Sequence, residues 1–265
     1  MIEDKIQKET LSIRISTNGF CFCSYTPSQP DSLQYFSFEP KADTTLAANL
    51  KAAIEECPFD IKKHEVKAII ETSEYTMLPA EYDDRRDYKQ FYRYCFPKSN
   101  SNIEIISNRL NAHNLSVLFS VDRSAYETLQ QFETVTYYTP TSILAGYLTR
   151  CPLPEEHYML AYMNNGHTHL LSIKNGITGI CNVFKCDNNN NALFYLLSTW
   201  KEQGLSQTDD TLYICGDESI EQFEPECRRF IKNIRRLNPN KLFKPSLLNK
   251  LKNIPFDLQA LILCE

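Results

Sequence analysis

Two imidazoles stand at i and i+2 in His167-Thr168-His169, a spacing that sets both on one face of a strand and suits a metal ion. No third ligand stands beside them, and Cys21-x-Cys23 falls in a different register of its own run, so strand histidines, exposed or half-buried, are the expectation and no metal site is assigned. Cys215 closes an apolar run, with His64 or His113 as a distant base. It lacks the Gly-x-nucleophile-x-Gly turn that would expose a nucleophile, and reads as a buried thiol. Asp83, Asp84 and Asp87 around Arg85 and Arg86 open a helical pattern, where carboxylates suit the positive end of the helix dipole. The charge distribution says more. Residues 227–252 carry nine bases (Arg228, Arg229, Lys232, Arg235, Arg236, Lys241, Lys244, Lys250, Lys252) and no acid, in a chain of net charge −5. A helix read from Pro225 to Leu237 would gather Arg228, Lys232, Arg235 and Arg236 on one side, with Phe230, Ile231 and Ile234 toward the core. Such a face suits an acidic protein, RNA or anionic lipid; the plain alternative is a solvated helix face. Because the rest of the chain is strongly acidic, its field opposes phosphate, and a protein partner is expected ahead of nucleic acid.

These residues need elements to hold them. At 265 residues, 42% hydrophobic and 23% charged, the chain can bury two ordinary cores. Ten cysteines without a CxxC pair read as reduced thiols, which makes the cytoplasm the expected compartment. The opening MIEDKIQKET lacks the apolar core of a secretory signal, and no apolar run approaches the roughly 18 to 20 residues of a membrane span. Seven glycines leave little material for a glycine-rich phosphate cradle.

Positions 158–180 read as three alternating strands joined at Asn165-Gly166 and Asn175-Gly176, the signal for type I′ hairpin turns. The pattern has a counterpart near the start: LSIRIST, Asn18-Gly19, FCFCSYT, then LQYFSFEP. Each meander is followed by a helical pattern (Thr44–Cys57, with Asp43 as cap, and Asn191–Gln203) and an apolar strand from Val66 or Thr211. The order and near-equal spacing argue for an internal duplication. The first half carries extra material at about 75–133. There Leu78-Pro79-Ala80 reads as a loop, Asp84–Phe96 as a helix, Ile103–Arg109 and Leu115–Val121 as a strand pair, and Asp122 as the cap of a helix to Phe132. Strand Thr134–Tyr138, helix Thr141–Thr149 and the linker Cys151–Pro154 follow, and Phe256–Leu263 closes the chain. The expected organisation is a lead-in at 1–10, a first domain at 11–150 and a second at 155–265.

This order of elements resembles the actin/Hsp70/sugar-kinase superfamily, whose fold is ribonuclease H-like. It is most similar to the cytoplasmic actin-like components of bacterial pilus and type II secretion machinery, and to a bacterial family of uncharacterised proteins with that fold. The resemblance implies an α/β protein of two domains, each with a mixed sheet begun by a β-meander and flanked by helices. In active members each first turn carries Asp-x-Gly, the Gly admitting phosphate and the Asp organising magnesium or water. The corresponding positions here are Arg14-Ile15-Ser16, followed by Thr17, and Tyr162-Met163-Asn164; both carboxylates and both glycines are absent. Only Cys215-Gly216-Asp217-Glu218-Ser219 matches the adenosine motif, and its two carboxylates would oppose a nucleotide. The resemblance therefore implies a non-catalytic scaffold without cofactor, a pseudo-ATPase. The alternative is an ATPase or small-molecule kinase in which Asp217 or Glu218 holds Mg-ATP. Arg14 is expected to face outward from its strand, or else to hold an anion.

Overall fold

A computed structural model describes residues 10–26, 29–59, 65–83, 88–238 and 253–263. They fall into two compact units that divide between Pro140 and Thr141, with Pro255–Leu263 belonging to the second. The division lies ahead of the Cys151–Pro154 linker, so the helix before that linker goes with the second unit.

The first unit is built on the meander β1 (Thr10–Ser16), β2 (Gly19–Thr26) and β3 (Gln29–Phe38). Strands β4 (Glu65–Ile70) and β8 (Thr134–Tyr138) add in parallel, for an order of β3-β2-β1-β4-β8. Central β1 is covered on both faces. Leu11, Ile13 and Ile15 are buried on one, Ser12, Arg14 and Ser16 on the other. Helix α1 (Leu46–Glu56) is capped by Thr45, whose side chain accepts from Ala48 N, and not by Asp43. The first hairpin differs from expectation. Ser16 pairs with Gly19, so the turn residues are Thr17 and Asn18, and Asn18 is not among the residues at positive φ. Ser16 Oγ holds this turn by accepting from Asn18 N (3.2 Å) and donating to Gly19 O (2.9 Å).

Within this unit lies an inserted sheet of order β5-β7-β6: β5 (Tyr75–Pro79), β6 (Ile103–Leu110) and β7 (Leu115–Asp122). Strand β5 takes the place of the expected loop at Leu78-Pro79-Ala80; Pro79 is tolerated because it ends an outer strand. Helix α2 (Tyr88–Cys95) packs Tyr92 against Leu78 and Leu118, and Tyr92 OH donates to Ser120 Oγ (2.9 Å). Asp84–Asp87 lie outside the described residues. Asp122 caps α3 (Arg123–Leu129), as expected.

The second unit has the same strand order, β11-β10-β9-β12-β13, in β9 (His157–Asn164), β10 (His167–Lys174), β11 (Ile177–Lys185), β12 (Thr211–Gly216) and β13 (Asn233–Arg236). Its hairpins turn as the sequence predicts: Asn165 and Gly166 (φ 49° and 73°) and Asn175 and Gly176 (φ 53° and 74°) are all left-handed. The helices are α4 (Pro140–Arg150), α5 (Asn189–Glu202), α6 (Ile220–Cys227) and α7 (Phe256–Leu263). One face of the sheet buries Met159, Ala161, Met163, Leu170, Leu212 and Ile214 against Leu196 and Trp200 of α5 and Phe223 of α6. Each such large apolar side chain contributes roughly 1.5–3 kcal/mol by leaving water. The opposite face carries Tyr162 and His169, with α4 and α7 against it.

The helix expected over Pro225–Leu237 is absent. Helix α6 starts five residues earlier, with Pro225 inside it, and Ile234 is the inward residue of strand β13. Among the described residues, no helix is long and apolar enough to cross a membrane.

Candidate functional site

Register makes Arg14 and Tyr162 equivalent. Each lies two residues before the last strand residue of its first hairpin, since Ser16 pairs with Gly19 and Asn164 with His167. In the first unit β1 places Arg14 opposite Cys21 of β2 and beside Ile69 of β4. Glu71 continues the β4 ladder through its N–H to Ile15 O (3.0 Å) and turns its carboxylate to the guanidinium. Arg14 Nη2 meets Glu71 Oε1 at 2.6 Å, and each side chain is only 2% exposed. Arg14 is thus neither an outward strand residue nor a bare cation awaiting an anion: its counter-charge comes from the same sheet. Tyr35 lies nearby, its hydroxyl donating to Cys21 Sγ (3.2 Å), and burial, then Cys21, push its pKa well up. Ser16 is spent on its turn, and Thr17 is exposed at the tip.

In the second unit Tyr162 is fully buried. Its ring stacks on His169 (centroids 5.5 Å apart) and packs on Phe256 of α7 (5.9 Å), which meets Tyr147 of α4 edge-on (5.7 Å). His169 is also fully buried, contrary to expectation, with Nδ1 3.1 Å from Thr141 Oγ1. Asn164 is buried at the end of β9. This end of β9 and β10 is thus filled by stacked aromatic rings.

Gly216 and Asp217 serve the end of the sheet. Gly216 sits at φ 144°, and a Cβ there would lie 1.9 Å from Met163 O, so only glycine lets β12 approach β9 this closely. Asp217 N donates to Met163 O (3.0 Å). The Asp217 carboxylate accepts from Asn165 N (2.8 Å), Ser219 N (2.9 Å) and Ser219 Oγ (2.5 Å), so it ties the β9–β10 turn to the α6 entry. The alternative ATPase or kinase reading would have Asp217 or Glu218 hold Mg-ATP; in the structure both Asp217 oxygens already accept hydrogen bonds from the chain itself.

Cys215 is buried, and burial first, then Asp257, pushes its thiol well above the ordinary value, which suppresses the thiolate a nucleophile needs. His64 lies outside the described residues, and His113 belongs to the first unit. Among the described residues no three His, Cys, Asp or Glu side chains are placed to hold a metal.

The arginines proposed as one helix face share no helix, since Arg235 and Arg236 lie on β13, and they are paired. Arg228 bonds Glu224 (2.5 Å), and Arg236 bonds both Glu221 (2.6 Å) and Glu224 (2.5 Å). Arg235 pairs with Glu155, which also accepts from Tyr213 OH. Arg236 holds the Glu221 and Glu224 carboxyls below their ordinary range, chiefly through those hydrogen bonds. Lys232 is exposed. Lys241, Lys244, Lys250 and Lys252 lie outside the described residues. The arginines of this run are therefore paired from outside the run, by glutamates of α6 and by Glu155.

No curated protein matches the chain in sequence. Among solved structures it is similar over 100% of both chains, at 26% identity and a TM-score of 0.80, to a protein of Bacteroides thetaiotaomicron described as having an actin-like ATPase fold and unknown function. It is also similar to a structure of the PilM-PilN type IV pilus biogenesis complex, at 11% identity and a TM-score of 0.58 over 98% of this chain and 99% of that one. The α/β architecture of two sheet-based units is the actin-like ATPase fold. The model of the family described as "Protein of unknown function (DUF3822)" matches residues 1–234, and the chain belongs to that family.

Proposed function

We propose that this chain uses the actin-like fold without its hydrolytic chemistry, as a cytoplasmic module that binds a protein partner. The buried Arg14–Glu71 pair carries the reading. It fills the equivalent of a phosphate-facing carboxylate with a cation already neutralised, and Tyr162 fills the second equivalent with a stacked ring. Catalysis in this superfamily rests on placing metal and phosphate electrostatically, and neither substitution can do that. The resemblance to PilM, solved in complex with PilN, supports a protein as the partner.

The test is thermal unfolding of the full chain with and without millimolar Mg-ATP. The expected midpoint is unchanged. A nucleotide at a hundred times its Kd would add about 2.7 kcal/mol and raise it clearly, which would refute the reading. An ATPase rearranged around Asp217 would release phosphate from ATP and lose that activity in Asp217→Ala. The three hydrogen bonds already on Asp217 argue for no difference between the two proteins. Nucleic-acid docking through Arg228, Lys232 and Arg235 is disfavoured by the glutamates that pair with both arginines.

A further inference from the structure

The inserted sheet of the first unit carries a cavity of about 600 Å³. Four consecutive residues of β6, Glu104 to Ser107, line it. Successive strand side chains point to opposite faces, so a cavity touching four in a row runs along the strand's edge and not over one face. Its walls agree: Tyr88 and Lys89 of α2 stand on one side, Tyr126 of α3 on the other. Strand β6 is the outer strand of β5-β7-β6. Among the described residues, the backbone of Glu104–Arg109 makes no backbone hydrogen bonds beyond its ladder with β7. An outer strand whose backbone groups are unpaired in this way is a template for an added strand.

Charge indicates what kind of strand. The cavity's carboxylates are engaged from within: Asp83 accepts from Tyr88 OH, Ser107 Oγ (2.9 Å) and Ser116 Oγ (2.7 Å), and Glu104 pairs with Arg123 (3.1 Å). Lys89 and Arg109, both exposed at the same cavity, have no ion pair among the described residues. With Asp83 counted against them and Glu104 matched by Arg123, Lys89 and Arg109 leave an excess of one positive charge among the described residues.

We propose that the outer edge of β6 takes an extended, acidic segment of a partner protein as an added β-strand, with Lys89 and Arg109 reading its carboxylates. This rests on the protein-binding reading above and names the partner's chemistry.

The test measures binding of three labelled octapeptides to the full chain at low salt by fluorescence anisotropy. One alternates Glu with Val and Thr, the second replaces Glu by Lys, and the third is the acidic peptide N-methylated on the amides of one edge. The acidic peptide should bind. The N-methylated one should bind at least about tenfold more weakly, since it cannot donate its backbone N–H groups to the β6 edge. The Lys peptide should bind more weakly too, and Arg109→Glu, an exposed change that preserves the fold, should reverse the preference between Glu and Lys peptides. Equal binding of the acidic and N-methylated peptides, no effect of Arg109→Glu, or no binding of any peptide at millimolar concentration would overturn the proposal. Mg-ATP stabilisation judges the preceding reading separately. Peptide failure with an unchanged midpoint removes only the β6 edge; a raised midpoint with acidic-peptide binding removes only the claim of lost nucleotide binding.

Discussion

Removing Glu71 should be among the costlier single changes in the first unit. In Glu71→Leu the Arg14 guanidinium, 2% exposed, loses a carboxylate at 2.6 Å and stays in the sheet as a buried charge. Breaking a buried ion pair from one side costs about 3–5 kcal/mol, because the remaining charge stays desolvated and loses the attraction of its carboxylate. At about 2–4 °C per kcal/mol for domains of 150–250 residues, the unfolding midpoint should fall by roughly 10 °C. Arg14→Met should cost a similar amount for the mirrored reason. The double variant Arg14→Met/Glu71→Leu should recover most of the loss, since apolar replacement of a buried pair is often neutral or stabilising by about 1–4 kcal/mol. Urea unfolding of the four proteins in a double-mutant cycle measures this directly. A single substitution costing under about 1 kcal/mol, as an exposed pair would, refutes the burial argument. A double variant as unstable as the two singles combined refutes the coupling.

Gly216→Ala should destabilise the second unit by more than the roughly 1–3 kcal/mol of its strained backbone, because the new methyl meets Met163 O at 1.9 Å. Gly176→Ala, also at positive φ but with nothing within 4 Å, should cost only the backbone part; equal urea midpoints for the two would contradict this account. Arg236→Ala should lower stability near neutral pH by an amount that disappears in acid. The Glu221 and Glu224 pKa values are depressed in the folded state, so their contribution is present above the ordinary glutamate pKa of about 4.3 and lost as pH falls through the folded values. Urea midpoints of both proteins from neutral pH to pH 3 should converge; a constant gap would refute the assignment.

The meanders, α5, α7 and the β6–β7 pair are legible in the sequence because their signals are local: alternation, turn residues and caps within a few positions. The failures have non-local causes. Alternation along β1 puts Arg14 opposite Ile13 and Ile15 and so suggests solvent, but that second face is buried as well, and the counter-charge that Arg14 needs there comes from Glu71, 57 residues away. At Phe230–Arg236 the apolar residues fit a helix as well as a strand. The parallel ladder with β12, which the local sequence does not encode, decides for the strand. Arg236 looks free in its own segment because its carboxylates belong to α6. In the first hairpin the Asn-Gly pair is shifted by one residue because Gly19 is needed inside the sheet, where a Cβ would lie 3.1 Å from Phe38 O.

The two left-handed hairpin turns are also places where the protein can age. At an Asn-Gly bond the glycine N–H is little hindered from attacking the asparagine side-chain amide. Ammonia leaves, and hydrolysis of the ring yields aspartate or an isoaspartate with one extra backbone atom. At Asn165 the new carboxylate would arise beside Asp217, whose Oδ2 accepts from Asn165 N at 2.8 Å, and like charges would loosen that strand end. At Asn175 it would arise next to His157 Nε2, now 3.2 Å from Asn175 Oδ1, where a hydrogen-bonding partner already stands. Deamidation on storage would therefore weaken the turn at Asn165 and be accommodated at Asn175.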